Sequence, residues 1–261
     1  MNNKTARKYK ALMTDVDGTL IVNGGGNTIS ARVKQSIHDS QNKIHIGIVS
    51  GRPLHQVSVI FDELRLQHPC VISGGAQIVD PVSKKILWEQ PLLPEDVQLI
   101  TPILNNLQSP VPQTGTGKIW VVDGTEEIMY TNDVKLQKPM SFFISKIKEE
   151  EADKIIKQLA QIPTLALTKV VAYELGYIAL HITHAHATKR HATIKVAELI
   201  NVNSEDIIGV GDGYNDFPLF KACGLKVAVG NAVDGLKERA DYISPSVDED
   251  AIAHILERFV N

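Results

Sequence analysis

A doubly wound parallel α/β sheet, interrupted by an inserted α+β segment, is the fold this sequence predicts. Short continuous apolar runs such as "IHIGIVSGR" (44–52) and "DIIGVG" (206–211) alternate with helix-length stretches, the pattern of a parallel sheet covered on both faces. These runs end in acidic or small polar residues, and an open α/β sheet places its binding crevice at the carboxyl ends of its strands. The middle of the chain departs from this pattern. Helix-like stretches there are followed by pairs of strands joined by short polar turns.

The first strand, Ala11 to Thr14, opens the stretch "LMTDVDGTL" (12–20). Ser30 is placed to cap a helix over "ARVKQSIHDSQN". Strands follow at 44–52 and at "CVISGGAQIV" (70–79). From about Lys84 to Thr183 the chain reads as two rounds of helix, strand and strand. The first is "PEDVQLITPILNNL" with "KIWVVDG" and "EIMYTND"; the second is "EEADKIIKQLAQI" with "TLALTKVVAYE" and "YIALHIT". The parallel pattern then resumes with helix "KRHATIKVAELIN", strand 206–211, helix "NDFPLFKAC" and strand "KVAVG" (226–230). Helix "AVDGLKERA", strand "YIS" and a helix to Phe259 close it. Three spans result, 1–83, 84–184 and 185–261, with the insertion connected near Pro81 and His184.

Composition narrows the function classes. A chain of 261 residues can bury a full core, and 43% apolar with 22% charged residues is globular composition, which excludes extended disorder. The net charge of −3, with Lys and Arg dispersed, points to no nucleic-acid partner. Cys70 and Cys223 have no CxxC spacing, so neither a disulfide framework nor a zinc site is suggested. "MNNKTARKYK" is followed by no apolar h-region and no 18-residue apolar run occurs, so a soluble, cytoplasmic protein without a membrane partner is expected. No long apolar stripe is left over; a monomer is the default expectation, a homodimer the alternative.

The chemistry sits at the strand ends. Asp15 and Asp17 share one face of extended backbone, and two like charges beside a buried strand need a bound cation or a held proton. Ser50 and Gly51 end a second strand, "GDGYND" brings Asp212, Asn215 and Asp216 after another, and Lys189 opens the helix where the chain returns from the insertion. Four separate pieces of chain thus deliver carboxylates, a hydroxyl, an amide and an ammonium to one place. Asp15, Asp17 and Asp212 suit a hard cation, most simply Mg²⁺. Other motifs carry less. "TGTGK" (114–118) lacks the full Walker spacing and reads as a turn, and "GVGDGY" (209–214) would set Asp212 against a pyrophosphate. The histidines of "HITHAHATKRH" (181–191) read as a hinge or entrance lining rather than a zinc site, since no Cys or acidic ligand accompanies them.

"DVDGTL", "VSGRP", a Lys opening a late helix and "GDGYNDFPLF", in that order, resemble the four motifs of the haloacid dehalogenase superfamily. "GLKVAVGNAVDGLKERADYIS", with the site and size of the insertion, resembles its Cof-type branch. The resemblance implies a Rossmann-like core carrying a type IIB cap, and a phosphoric monoester hydrolase. It implies that Asp15 is the nucleophile forming an aspartyl-phosphate, and that Asp17 is the acid and then the base. It implies that Asp15 and Asp212 bind Mg²⁺ by side chains, that Asp17 adds its backbone carbonyl, and that Asp216 supports the metal directly or through water. Ser50, Gly51, Arg52, Lys189 and Asn215 form the implied phosphate- and substrate-binding set. Ser50 and Lys189 would sit on the phosphoryl oxygens, with Asn215 orienting one of them.

The chain departs from the family pattern at His186, Arg190, His181 and Ala251, where glycine or an acidic residue is common. These departures bear on local loops and substrate, not on the catalytic carboxylates. The function expected is hydrolysis of a small phosphorylated metabolite, a sugar phosphate or related phosphomonoester, selected by the cap. The alternatives are a mutase of the phosphomannomutase type and a non-catalytic metabolite sensor. The cap-side candidates for substrate contact are Tyr130, Asn132, His181 and His184, with Arg52 from the core.

Overall fold

The computed structural model describes residues 9–22, 28–107, 117–171 and 176–261. The chain opens with β1 (Ala11–Thr14), buried along its length, and α1 (Ala31–Ser40), whose N-cap Ser30 Oγ accepts from Val33 N at 3.1 Å. Next come β2 (His45–Ile48) and α2 (Leu54–Leu64). Then β3 (Cys70–Ile72), β4 (Gln77–Val79) and β5 (Ile86–Glu89) form a small antiparallel sheet. The run 70–79, expected as one strand, is therefore two. Ser73, Gly74 and Gly75 take φ of 53°, 73° and 111°, a left-handed turn that glycine permits and that folds the chain back on itself.

The middle contributes α3 (Pro94–Leu107), β6 (Ile119–Asp123), β7 (Glu126–Met129), β8 (Pro139–Ile147), α4 (Glu149–Leu159), β9 (Leu165–Val171) and β10 (Ile178–His184). These strands form one antiparallel sheet in the order β7-β6-β8-β10-β9. The reading of helix–strand–strand rounds misses β8, which is the central strand. Its alternating Met140, Phe142 and Ile144 are all buried, a period-two signal that the expected pairing of strands passed over. Lys84 lies in the turn between β4 and β5, and β5 still pairs with β4, so the change of sheet comes after Glu89.

The chain then returns through α5 (Lys189–Leu199), β11 (Ile207–Gly211), α6 (Phe217–Phe220), β12 (Leu225–Ala228), α7 (Asp234–Lys237), β13 (Tyr242–Ile243) and α8 (Ala251–Phe259). The helices expected over "NDFPLFKAC" and "AVDGLKERA" shrink to four residues each, the first beginning after a tight turn and holding Pro218 at its start, where a missing N–H costs nothing. The main sheet is parallel throughout, in the order β13-β12-β11-β1-β2, with β3 bridged alongside through Val49 and Val71. Alternation along β1 explains the double winding. Leu12 packs with residues of α1, α2 and α8, whereas Ala11 and Met13 pack with Ala192 and Val196 of α5 and Leu219 of α6.

The antiparallel sheet sorts its faces in the same way. Ile119, Val121, Phe142, Ile144, Leu180 and Ile182 pack against Ile100 and Leu104 of α3 and Ala152, Ile155 and Leu159 of α4. The opposite face, which carries no helix among the described residues, looks onto the carboxyl ends of β1, β2 and β11. Contact between the sheets is direct: β8 and β10 pack on the Ser73–Gly75 turn, and β9 packs on the turn Tyr214–Asp216. Of "TGTGK", residues 114–116 lie outside the described residues, and Gly117 at φ 71° leads through Lys118 into β6. Among the described residues no helix is long and apolar enough to cross a membrane.

Candidate active site

Asp15 directly follows β1, its backbone N–H bonded to Val210 O of β11 at 2.9 Å, and its carboxylate is buried. Lys189, the first residue of α5 and only 4% exposed, reaches in from the other side of the sheet. Its Nζ donates to Asp15 Oδ1 at 2.7 Å and to Asp216 Oδ1 at 2.6 Å. The other oxygen of Asp216 accepts the backbone N–H groups of Asp212 and Gly213, each at 3.0 Å, which fixes the "GDGYND" loop. Gly211 is required here: a Cβ would stand 2.5 Å from the Asp216 carboxyl carbon. Asp212 is held by Thr19 Oγ1, which donates to its Oδ1 at 2.8 Å. Thr19 was not singled out from the sequence, although "DGT" contains it.

Oxygens of Asp15, Asp212 and Asp216 come within 4.8 Å of one another, and among the described residues this is the only group of three or more such donors to converge. Burial, and then the Asp216 charge, raise the Asp15 carboxyl well above the usual carboxylate range against the pull of Lys189. The same two causes push Asp212 up to about 7. Burial alone would lower Lys189, but Asp15 and Asp216 outweigh it and hold the ammonium above its ordinary value. Three crowded oxygen donors with two carboxyls resisting ionisation form a donor set that fits a hard divalent cation such as Mg²⁺.

The Asp17 carboxylate lines the same cleft but is not among the three converging donors. The Arg52 guanidinium grips it as a fork, Nε to Oδ2 at 3.0 Å and a terminal nitrogen to Oδ1 at 2.6 Å. Ser50 is fully buried beneath the same loop, its Oγ accepting Arg52 N at 3.1 Å, while Gly51 and Asn215 line the cleft above. Lys189 takes its orientation from Asp15 and Asp216, and among the described residues Asn215 makes no hydrogen bond to it.

Asp15, Asp17, Gly51, Arg52, Lys189, Asp212 and Asn215 line the floor of a cleft of about 900 Å³, with Ser50 and Asp216 buried beneath it. The cleft is roofed by the face of the antiparallel sheet turned away from α3 and α4. Of the cap-side candidates, His181 reaches it. The imidazole is 6% exposed and fills a notch where a Cβ on Gly74 would come within 2.3 Å of its Cε1. Burial, reinforced by the Lys189 charge, lowers its pKa to about 4, so the ring is neutral at pH 7. Tyr130 instead packs into the sheet–helix core with its hydroxyl on Asn105 Oδ1 at 2.9 Å, and Asn132 is exposed. His184, His186 and His191 meet in succession beside the return to α5, the first pair tilted and the second edge to face, with ring centroids 5.5 and 5.2 Å apart. The roof residues Trp120, Ser141, Phe143 and Thr168 were not anticipated.

The model of the haloacid dehalogenase-like hydrolases matches residues 12–256. A 5-amino-6-(5-phospho-D-ribitylamino)uracil phosphatase of Bacillus subtilis (strain 168), YcsE, is 27% identical over 254 residues, covering 96% of both chains. A solved haloacid dehalogenase-like hydrolase of B. subtilis superposes with a TM-score of 0.83 at 18% identity, over 96% of this chain and all of the other. The subclass IIB sugar phosphatase BT4131 superposes at 0.76 and 19% identity, over 96% of this chain and 98% of that one. The matched length, the inserted antiparallel sheet over the parallel one and the carboxylates at the strand ends agree, and the chain belongs to the haloacid dehalogenase-like hydrolases.

Proposed function

We propose that this protein is a Mg²⁺-dependent phosphatase that hydrolyses small phosphorylated metabolites through an aspartyl-phosphate on Asp15. The observation that carries this reading is the buried cluster of Asp15, Asp212 and Asp216 with Lys189 bridging two of them at 2.7 and 2.6 Å. Asp15, Asp212 and Asp216 would hold Mg²⁺, which when bound supplies charge neutralisation for the phosphoryl oxygens. Lys189 keeps Asp15 directed into the cleft and adds a fixed positive charge where negative charge gathers. Asp15 attacks phosphorus in line with the departing alcohol.

Asp17 then has the proton work, giving one to the leaving oxygen and later taking one from the hydrolytic water. Arg52 engages both Asp17 oxygens in the resting geometry, so substrate must draw the guanidinium away before that transfer. A phosphoryl group on the floor is the natural competitor for the fork. The second sheet, reaching from about Pro91 to His184, is the cap in this reading, and it keeps bulk water from the acyl phosphate.

The test is phosphate release from a panel of small phosphomonoesters, the aminouracil ribityl phosphate named for the YcsE relative among them, with and without Mg²⁺. Turnover that needs the metal and falls at least a thousandfold in Asp15→Asn is expected. Full turnover by Asp15→Asn would end the reading. Activity that appears only when glucose 1,6-bisphosphate is added to a sugar monophosphate would move the assignment to a mutase.

A further inference from the structure

The roof of the cleft is built to a pattern. Trp120 on β6 stands opposite Phe143 on β8, Phe143 opposite His181 on β10, and His181 opposite Thr168 on β9, one row running across four strands. Side chains directly opposite on one face are neighbours, and Phe143 meets His181 edge to face with centroids 5.6 Å apart. The His181 end lies against Gly51 and Gly74, directly above the phosphate-binding loop. Trp120 stands two strand spacings away, about 10 Å. Trp120 and Phe143 are only half-buried, and both belong to the lining of the cleft. Beside the row, Ser141 Oγ is buried, lines the same cleft and has no hydrogen-bond partner among the described residues.

We propose that Trp120 and Phe143 form a stacking shelf for the leaving group, with His181 set edge-on at its floor end, and that the substrates are phosphomonoesters whose alcohol carries a planar heteroaromatic ring. The proposal rests on the phosphatase reading and narrows it from sugar phosphates at large to ring-bearing ones. A heteroaromatic ring lays its whole face on Trp120 and Phe143, a larger contact than the C–H face of a bare sugar makes. The row itself carries no charge, although Glu127 and Lys146 line the cleft elsewhere. The polar edge of such a ring finds the unpartnered Ser141 hydroxyl and a neutral His181, each able to donate or accept. The distance from floor to Trp120 calls for a spacer of several bonds between phosphate and ring, of ribose or ribityl length.

The experiment pairs each ring-bearing probe with its ring-free twin: riboflavin 5′-phosphate with ribitol 5-phosphate, and adenosine 5′-monophosphate with ribose 5-phosphate. At least one ring-bearing member is expected to exceed its twin about tenfold in kcat/KM. Trp120→Leu is expected to erase that preference through KM, and Trp120→Phe to restore most of it. Binding is read separately by quenching of flavin fluorescence with Asp15→Asn, with and without Trp120→Leu. Twins hydrolysed equally well in both pairs, or a preference that Trp120→Leu leaves intact, overturns the shelf while the phosphatase reading stands. Trp120-dependent quenching without phosphate release from any probe overturns the phosphatase reading and leaves the shelf.

Discussion

Asp212 is the residue at which electrostatics and folding meet most plainly. Its carboxyl titrates near 7 rather than in the ordinary carboxylate range because it is buried beside Asp216. A carboxyl whose pKa rises on folding favours the folded chain while protonated, below about pH 4, and loses that contribution as pH climbs through about 7. Metal-free Asp212→Asn should therefore be more stable than the parent at pH 8, by about 2 kcal/mol, with the difference closing toward pH 4. Urea unfolding in a chelator measures it. The comparison is between two proteins because His181 and His68, both lowered to about 4 by burial, add stability with rising pH over the same window in each. Equal stability of the two at pH 8 would mean that Asp212 is not strained.

At the level of elements, the Ser73–Gly75 turn joins the two sheets through one residue. Gly74 has φ of 73° and leaves the space that the His181 ring occupies. Gly74→Ala should cost about 1–3 kcal/mol, from the left-handed backbone and from the displaced imidazole together. In a His181→Ala background only the backbone part should remain, so the penalty should shrink. A penalty unchanged in that background, measured by the same unfolding experiment, would show that the ring does not depend on the notch. Strand β8 carries a related lesson. It holds the centre of its sheet through Phe142 and Ile144 on the helix side while offering Phe143 to the cleft, so one strand serves core and site by alternation alone.

Over the whole molecule, the parallel sheet supplies the converging carboxylates, and the antiparallel sheet supplies the aromatic row together with the charged Glu127 and Lys146. Three carboxylates and a lysine gather at the floor, whereas the row across the roof is aromatic and hydroxyl-bearing. Mg²⁺ binding at the floor should stabilise the entire fold by mass action, and more where the carboxylates are ionised. The melting temperature is expected to rise several degrees with millimolar Mg²⁺ at pH 8 and much less at pH 5, as scanning calorimetry would record. No rise at pH 8 in the parent would count against the site.

Much of the floor was legible before folding. Asp15, Asp17, Ser50, Lys189 and Asp212 each sit at the end of an apolar run or the start of a helix, and parallel α/β topology brings such ends together without further information. What tertiary structure alone decided is how those groups pair and what covers them. The Arg52 fork on Asp17 and the Thr19 bond to Asp212 join residues far apart in sequence, and no local pattern encodes either. The roof was hidden for a similar reason. Alternation along a strand divides its residues into two faces but does not say which face meets helices, which strand lies next to it, or in what register. Those choices come from burying Phe142, Leu180 and Ile182 under α3 and α4, and they are what turn Trp120, Phe143 and His181 toward the carboxylates.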